Sequence, residues 1–460
     1  MGRNRSRALW VASAGYFFVL LDVTIVNVAL ARIGSSLGAS RAELQWVVDA
    51  YALVLATFML GAGDLADRLG ARRLFLAGLG LFGLGSVACA TAPSASFLVA
   101  ARVAQGLGAA AILPTSLALV NQLHPDPAER PRAIGVWAGI GGSALVAGPV
   151  FGGLLVEPLG WRAIFWLNLP LTAAALALAV AYLPPSPTAR GHRLDLAGQA
   201  LGTLAVAAVV FALIEGGKAG FGSIQTLFGG AVGAVTLILF VSVENRRRRP
   251  MLEPRWFSRP EFAGANVGSG LMNLGTLGGL FAISLFLQQD QGLSPLRTGL
   301  NLLPLAAPLA LLTPFTGRLV VAAGARRPAG WGLLATGCGY LGAAALGPNI
   351  DGPAGWLCLA VAGAGMAVAV PGLVAGATEA LGADRAGIAS AINNTCRQVG
   401  GAIGVALIGG FASLSTSLAA SAGALLLGGT AALLLMTQAR EQEGRVALSK
   451  HSKASAASEF

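Results

Sequence analysis

The sequence predicts an all-α polytopic membrane protein built from two related halves, and three observations carry that prediction. Only 11% of the 460 residues are charged and 55% are hydrophobic, with a mean hydropathy of +0.71, whereas a soluble domain carries about 25% charged residues. Apolar segments recur, each near the roughly 20 residues a helix needs to cross about 30 Å of hydrocarbon, where an unpaired backbone group cannot face lipid. Finally, the stretch from Gly63 to Arg73 returns from Gly317 to Arg327 as a shared G-x-L-x4-G-A-R-R pattern, at an offset of 254.

Fourteen spans follow. Span 1, near 8–31, trails the basic residues Arg3, Arg5 and Arg7 and carries Asp22, so it reads as a retained span and not a signal peptide. Spans 2 and 3, near 46–63 and 74–92, flank the first copy of the repeated pattern. Span 4, near 96–122, contains Arg102; span 5, near 133–156, is rich in glycine; span 6, near 162–183, stops at Pro184-Pro185-Ser186-Pro187. Spans 7 and 8, near 196–215 and 224–244, end in the run Arg246 to Arg249. Spans 9 to 14 lie near 261–288, 298–322, 330–347, 354–380, 387–410 and 418–437, with the second copy of the pattern between spans 10 and 11.

Charge tests this count, because cytoplasmic loops retain Lys and Arg. With the N-terminus inside, 24 of the 31 Lys and Arg face the cytoplasm and five lie outside (Arg32, Arg41, Arg162, Lys218, Arg297), while Arg102 and Arg397 fall within spans. An odd error in the count would put the four-arginine run on the wrong side, so the count is expected to be even with both termini in the cytoplasm. The net charge of +11 is spread over short loops and offers no stripe for nucleic acid.

A second match, Arg132-Ala133 against Arg385-Ala386 at an offset of 253, supports the repeat. Six helices with short loops need only about 180 residues, so something is inserted between the halves. The expected organisation is a six-helix bundle over 1–183, a linker with two extra spans over 184–260, a second six-helix bundle over 261–437 and a cytoplasmic tail over 438–460. Two parallel bundles around a midplane site are what alternating-access transporters use. Glycines such as Gly135, Gly139, Gly141 and Gly142 in span 5, and Gly400, Gly401 and Gly404 in span 13, allow helices to approach closely.

The residues exclude other classes. Cys89, Cys338, Cys358 and Cys396 all fall in spans without a C-x-x-C and read as small core residues. The three histidines, His124, His192 and His451, are too scattered for a metal site. There is no G-x4-G-K-[ST] loop for an ATP-driven pump, and no clustered constellation for an enzyme or receptor.

A few polar positions stand out. Asp22 is expected about 15 Å, and Arg102 about 10 Å, from the outer ends of their helices, close enough in depth to meet. A carboxylate there must face the bundle interior or water, and the balance of desolvation against a neighbouring cation can poise it to load and release a proton. Asp67, Arg68, Arg72 and Arg73, framed by Gly63 and Gly70, form a charge cluster able to latch one half on the other; the second copy has Val321 where the first has Asp67. Gly148-Pro149 interrupts span 5 and implies a packed bend that blocks leakage. Arg397 sits near mid-depth beside Asn393, Asn394 and Gln398, as a cargo contact or an inter-helix tie. Asn27, Asn273, Gln288 and Gln289 are further polar candidates, and Phe17, Phe18, Tyr51, Trp137 and Phe281 are candidate aromatic walls. Asp49 and Glu215, near span ends, receive no role.

These stretches carry a resemblance. Leu21-Asp22-Val23-Thr24-Ile25-Val26-Asn27-Val28-Ala29-Leu30, Gly63 to Arg73, Leu98-x3-Arg102-x2-Gln105-Gly106-x-Gly108, Gly148-Pro149-x2-Gly152-Gly153 and Gly160-Trp161-Arg162-x2-Phe165-x2-Asn168-x-Pro170 occur in order. Together they resemble the signatures of the major facilitator superfamily, specifically its fourteen-helix drug/proton antiporter branch, over essentially the whole chain. The match is most similar to actinobacterial exporters of the methylenomycin-resistance type. Ala31 stands where that branch usually has proline, and Ala71 where a basic residue is usual. The resemblance implies a monomeric carrier in the cytoplasmic membrane, driven by the proton gradient without a cofactor, exporting small amphiphilic compounds such as drugs or antibiotics. In it Asp22 and Arg102 would couple protons, the Gly63 to Arg73 loop would gate, and Gly148, Pro149, Gly152 and Gly153 would mark an exporter. Uptake of a metabolite or movement of lipid is the alternative. Spans 10 and 13 lack the acids that exporters of organic cations can carry, which favours neutral, zwitterionic or anionic cargo.

Overall fold

A computed structural model describes residues 2–124, 126, 129–186, 195–247, 250, 252–382 and 385–436. Among the described residues the regular elements are helices: α1 (Gly2–Leu37), α2 (Arg41–Leu69), α3 (Ala71–Ala90), α4 (Ala95–Leu123), α5 (Arg130–Leu159), α6 (Arg162–Tyr182), α7 (Leu196–Ala219), α8 (Ile224–Arg246), α9 (Pro260–Leu285), α10 (Pro295–Ala323), α11 (Arg326–Leu346), α12 (Pro353–Leu381), α13 (Ala386–Ile408) and α14 (Leu414–Leu435). Thirteen of them are long and apolar enough to cross a membrane. The exception is α13, where Asn393, Asn394, Arg397 and Gln398 interrupt the apolar run. Many helices run several residues past the sequence expectation, because capping residues and charged turns extend them into the interfacial zone. The tail from 437 onward and the side chain of Asp67 lie outside the described residues.

Helix starts explain much of the layout. Ser40, Ser94, Ser223, Ser294 and Ser413 each accept the backbone N–H three residues on, at the starts of α2, α4, α8, α10 and α14. Such a cap contributes about 1 kcal/mol. All five starts lie on one face, the outer one; the opposite face carries Arg68, Arg72, Arg73, Arg246, Arg247, Arg318, Arg326 and Arg327 and is therefore the inner, cytoplasmic one. The repeat is visible in the backbone. Gly70 and Gly324 end α2 and α10 with φ of +87° and +75°, a left-handed turn that a side chain would strain.

The helices form two bundles, each with its own apolar core: one core is drawn from α1 to α6 and the other from α9 to α14. Small residues set the packing in the second. A Cβ on Gly400 or Gly404 of α13 would strike the backbone of Gly270 or Leu274 of α9, so these helices touch main chain to main chain. Between the bundles, α7 and α8 form a hairpin tied at the inner face by Arg247 to Asp195 at 2.7 Å. The α7 helix packs on α2 and α13, where Val210 and Ile214 join Ala52, Leu53, Ala402 and Ala406 in one cluster. Gln199 on α7 donates to the Thr57 carbonyl at 2.8 Å. Cys338 is exposed on the lipid side and is not the core residue expected from its position in a span.

Candidate functional site

Asp22 and Arg102 meet in the first bundle, in direct contact and 0% and 1% exposed. The carboxylate is surrounded from four helices. Gln105 Nε2 donates to Oδ1 at 2.8 Å and Asn168 Nδ2 at 3.1 Å, while Ser86 Oγ accepts from both amides. Arg102 also donates through Nε to the Val47 carbonyl at 3.0 Å and through Nη1 to Gln105 Oε1 at 2.7 Å. Its guanidinium lies 4.2 Å from the Tyr51 ring centre and 6.0 Å from that of Phe165. A buried pair is tolerable only when its remaining donors and acceptors are satisfied, and here they are. Tyr51 thereby belongs to this cluster and not to a cargo wall; its hydroxyl donates to the Val19 carbonyl at 3.2 Å.

The exporter motif packs in two stripes. Gly148 and Gly152, four residues apart on α5, lie against Thr24 and Ile25 of α1. Pro149 and Gly153 lie on the neighbouring stripe against Gly299 and Leu296 of α10. Following that second stripe inward leads to Gly142, Gly139 and Gly135, and a Cβ there would have nothing within 4 Å. The two bundles therefore touch at the outer end of α5 and part at its inner end. The other seam behaves alike. Gln45 of α2 donates to the Val405 and Ala406 carbonyls at the end of α13, both at 3.0 Å, and contact persists to Met59 and Asn394, yet Gly63 and Gly387 beyond them stand in open space.

Further ties close the outer face. Ser284 Oγ of α9 donates to the Asn27 carbonyl at 2.6 Å. Glu157 of α5 accepts from Ser294 Oγ at 2.9 Å and from the Leu296 N–H at 3.3 Å, placing an acid at the positive end of α10. Phe281 and the Asn27 carbonyl thus belong to the outer seal, while Gln288 donates to Ser284 four residues back and its Oε1 is buried without a partner.

The remaining candidates separate. Asn393 is 1% exposed and donates to Ser269 Oγ at 2.8 Å, a tie between α13 and α9. Asn273 is buried beside Gly401. Trp137 and Arg397 are half-buried on the inner half of their helices. Trp137 stacks on Tyr16, ring centres 4.0 Å apart, and donates to Ser116 Oγ at 3.1 Å; Gly141 is the residue that leaves room for Tyr16. Arg397 Nε is buried with no hydrogen-bond partner. In the loop after α2, Arg72 holds the Val180 carbonyl at 2.8 Å and its own N–H donates to Ser186 at 3.1 Å, both within the first half. The structure brings this loop onto α6 and its exit, not onto the second bundle.

Sequence reading missed several residues. Gln105 and Asn168 stood in quoted motifs, but only the fold brings them to Asp22. Asp49, passed over as close to a span end, is 0% exposed with both oxygens unpartnered, one turn inward of Gln45 on the seam between bundles. A rule that counted depth from the extended helix start at Arg41 would have found it. An apolar crevice of 340 Å³ lined by Phe58, Leu65, Leu81, Leu107 and Leu196 opens on the outside of the first bundle and is separate from the cleft.

Two bundles that seal one face and part on the other make a membrane carrier that works by exposing a central site to one side at a time. The chain belongs to the Major Facilitator Superfamily, whose family model matches residues 12–405. It is 40% identical over 409 residues to the multidrug resistance protein Stp of Mycobacterium tuberculosis, covering 89% of this chain and 76% of that one. It is 35% identical over 401 residues to the methylenomycin A resistance protein of Streptomyces coelicolor, covering 86% and 83%. Among solved structures it superposes on a peptide transporter, POT, in complex with sulfate, with a TM-score of 0.70 at 18% identity over 93% of this chain and 94% of that one, a likeness of fold alone.

Proposed function

We infer that the protein exports small amphiphilic compounds, drugs or antibiotics among them, across the cytoplasmic membrane in exchange for protons. The observation that carries this reading is Asp22, an acid buried at depth and matched by a single cation, in a carrier sealed outside and open inside. Relatives named for resistance to several antibiotics support the cargo class. In this conformation the Asp22–Arg102 pair is intact, as expected of the state that has released its proton inward and awaits cargo. Protonation from the outside in the alternate state weakens the pair; the pair re-forms when the proton leaves inward, so the two conformations differ in proton affinity and each ligand shifts their balance. The Pro149–Gly299 and Gly153–Leu296 contacts keep the outer face closed meanwhile, and Arg72 ties the loop after α2 to α6 and its exit within the first half. No cofactor is required; a single chain suffices, and lipid chains fill the outside crevice.

Everted vesicles with an imposed pH gradient test this. Wild type should accumulate a fluorescent amphiphile only when the interior is acid, and Asp22→Asn should abolish that accumulation while leaving the protein folded. Accumulation by Asp22→Asn equal to wild type would remove Asp22 from the coupling, and accumulation without any gradient would remove proton exchange.

A further inference from the structure

Two arginines lie at depth in the spans, and their surroundings are opposite. Arg102 has a carboxylate, a carbonyl, an amide and two aromatic rings. Arg397, among the described residues, makes no ion pair and no hydrogen bond, and its Nε is buried without a partner. Tyr16 of α1 lies near enough to act on its charge. Arg397 as a whole is half-buried, and an arginine at depth without a carboxylate beside it faces a wet cavity or a ligand. Among the described residues no acid pairs with it. Asp22 is fully engaged by Arg102, Gln105 and Asn168; Asp49 lies on the outer half of α2; Asp64 and Asp67 stand at its inner end; α10 and α13 contain no Asp or Glu.

The neighbours of Arg397 describe what would match it. Tyr16 and Trp137 form a slab of two parallel rings, 4.0 Å apart with an interplanar angle of 11°. The slab is fixed, since Trp137 is held by Ser116 and Tyr16 sits over Gly141. On a different face of α5, the one that meets α10 farther out, a Cβ at Gly135, Gly139 or Gly142 would meet nothing within 4 Å, so the two bundles stand apart there. A planar apolar body would lie along the slab, and an acidic group on it would reach the guanidinium, whose fork of donors fits the two oxygens of a carboxylate.

We propose that Arg397, with the Tyr16–Trp137 slab, forms the binding site for an aromatic organic anion, a small carboxylate or sulfonate, taken from the cytoplasm. This rests on the reading of the chain as an exporter and narrows its cargo. It has an electrical consequence: outward movement of a monovalent anion and inward movement of a proton both carry positive charge inward, so the inside-negative potential drives the exchange.

Equilibrium binding to the purified full-length protein in detergent tests the site without any proton gradient, using radiolabelled salicylate and 1-naphthoate against their neutral amides, with rhodamine 6G as the cationic probe. The acids are expected to bind at least tenfold more tightly than the amides and than rhodamine 6G. Arg397→Gln should remove that preference while amide binding stays unchanged, and Arg397→Lys should restore part of it. Amides or rhodamine 6G binding as tightly as the acids, no detectable acid binding, or a preference that survives Arg397→Gln would overturn the site. A misfolded Arg397→Gln would show as lost amide binding, and Arg397→Lys then decides: a retained preference supports the site, its loss in a protein that still binds amide overturns it. The exporter reading fails separately. Acid-selective binding without accumulation of salicylate in everted vesicles under a pH gradient leaves the anion site standing and removes proton exchange.

Discussion

The two halves share a plan and differ in what they bury. At the offset of 254, Asp22 corresponds to Thr276 and Ser86 to Tyr340. In the first half those positions hold the buried acid and a hydroxyl that accepts from Gln105 and Asn168. In the second, Tyr340, 0% exposed, donates to the Thr276 carbonyl at 3.3 Å, and no charge is present. The same helix positions therefore serve a polar network in one bundle and neutral packing in the other. The difference teaches where each half stores its free energy: the first in a buried, hydrogen-bonded charge pair, the second in backbone-to-backbone contact.

That contrast can be broken by substitution, beginning with the largest effect. Asp22→Ala leaves Arg102 buried without its partner and should cost about 3–5 kcal/mol, seen as a large drop in the thermal midpoint with loss of gradient-driven export. The double change Asp22→Asn with Arg102→Gln should recover most of the stability and none of the export. If it recovered export, the pair would be structural only. Next, Gly404→Leu drives a side chain into the Leu274 backbone and should cost about 1–3 kcal/mol by overpacking, read as a lower unfolding midpoint in detergent with the Asp22 cluster untouched. Tyr340→Phe removes one hydrogen bond and should cost about 1 kcal/mol with proton coupling unchanged. A loss as large as that of Asp22→Ala would show that the second half also carries a polar switch. Smallest, Glu157→Gln weakens the hold on the start of α10, and spin-label distances across the outer ends of α5 and α10 should report a rise of about twofold in the outward-open fraction.

Much of this was legible in the chain because of how membranes act on sequence. Hydrocarbon forces long apolar helices, and the inner face retains Arg, so the number of elements, their order and the inserted pair follow from hydropathy and charge. The meeting of Asp22 with Arg102 was legible from depth alone, since helices of known rise place residues at known heights. Rotation about the helix axis was not. Tyr51, Phe281 and Asn393 stood at plausible depths for a cargo site, yet their faces turn toward Arg102, the outer seal and α9. Asp49 was passed over for the converse reason, a helix that starts earlier than its apolar run.

By itself, then, the sequence determined the membrane class, the repeat and the matching depths of Asp22 and Arg102, because these depend on local composition and on distance along one axis. Only the tertiary structure decided which side chains share a site, that the outer seam is closed while the inner stripe of α5 is open, and that the buried Arg102 has a carboxylate partner while the half-buried Arg397 has none among the described residues. Those properties depend on the azimuth of every helix and on partners from tens to hundreds of residues away, and short-range pattern carries no record of either.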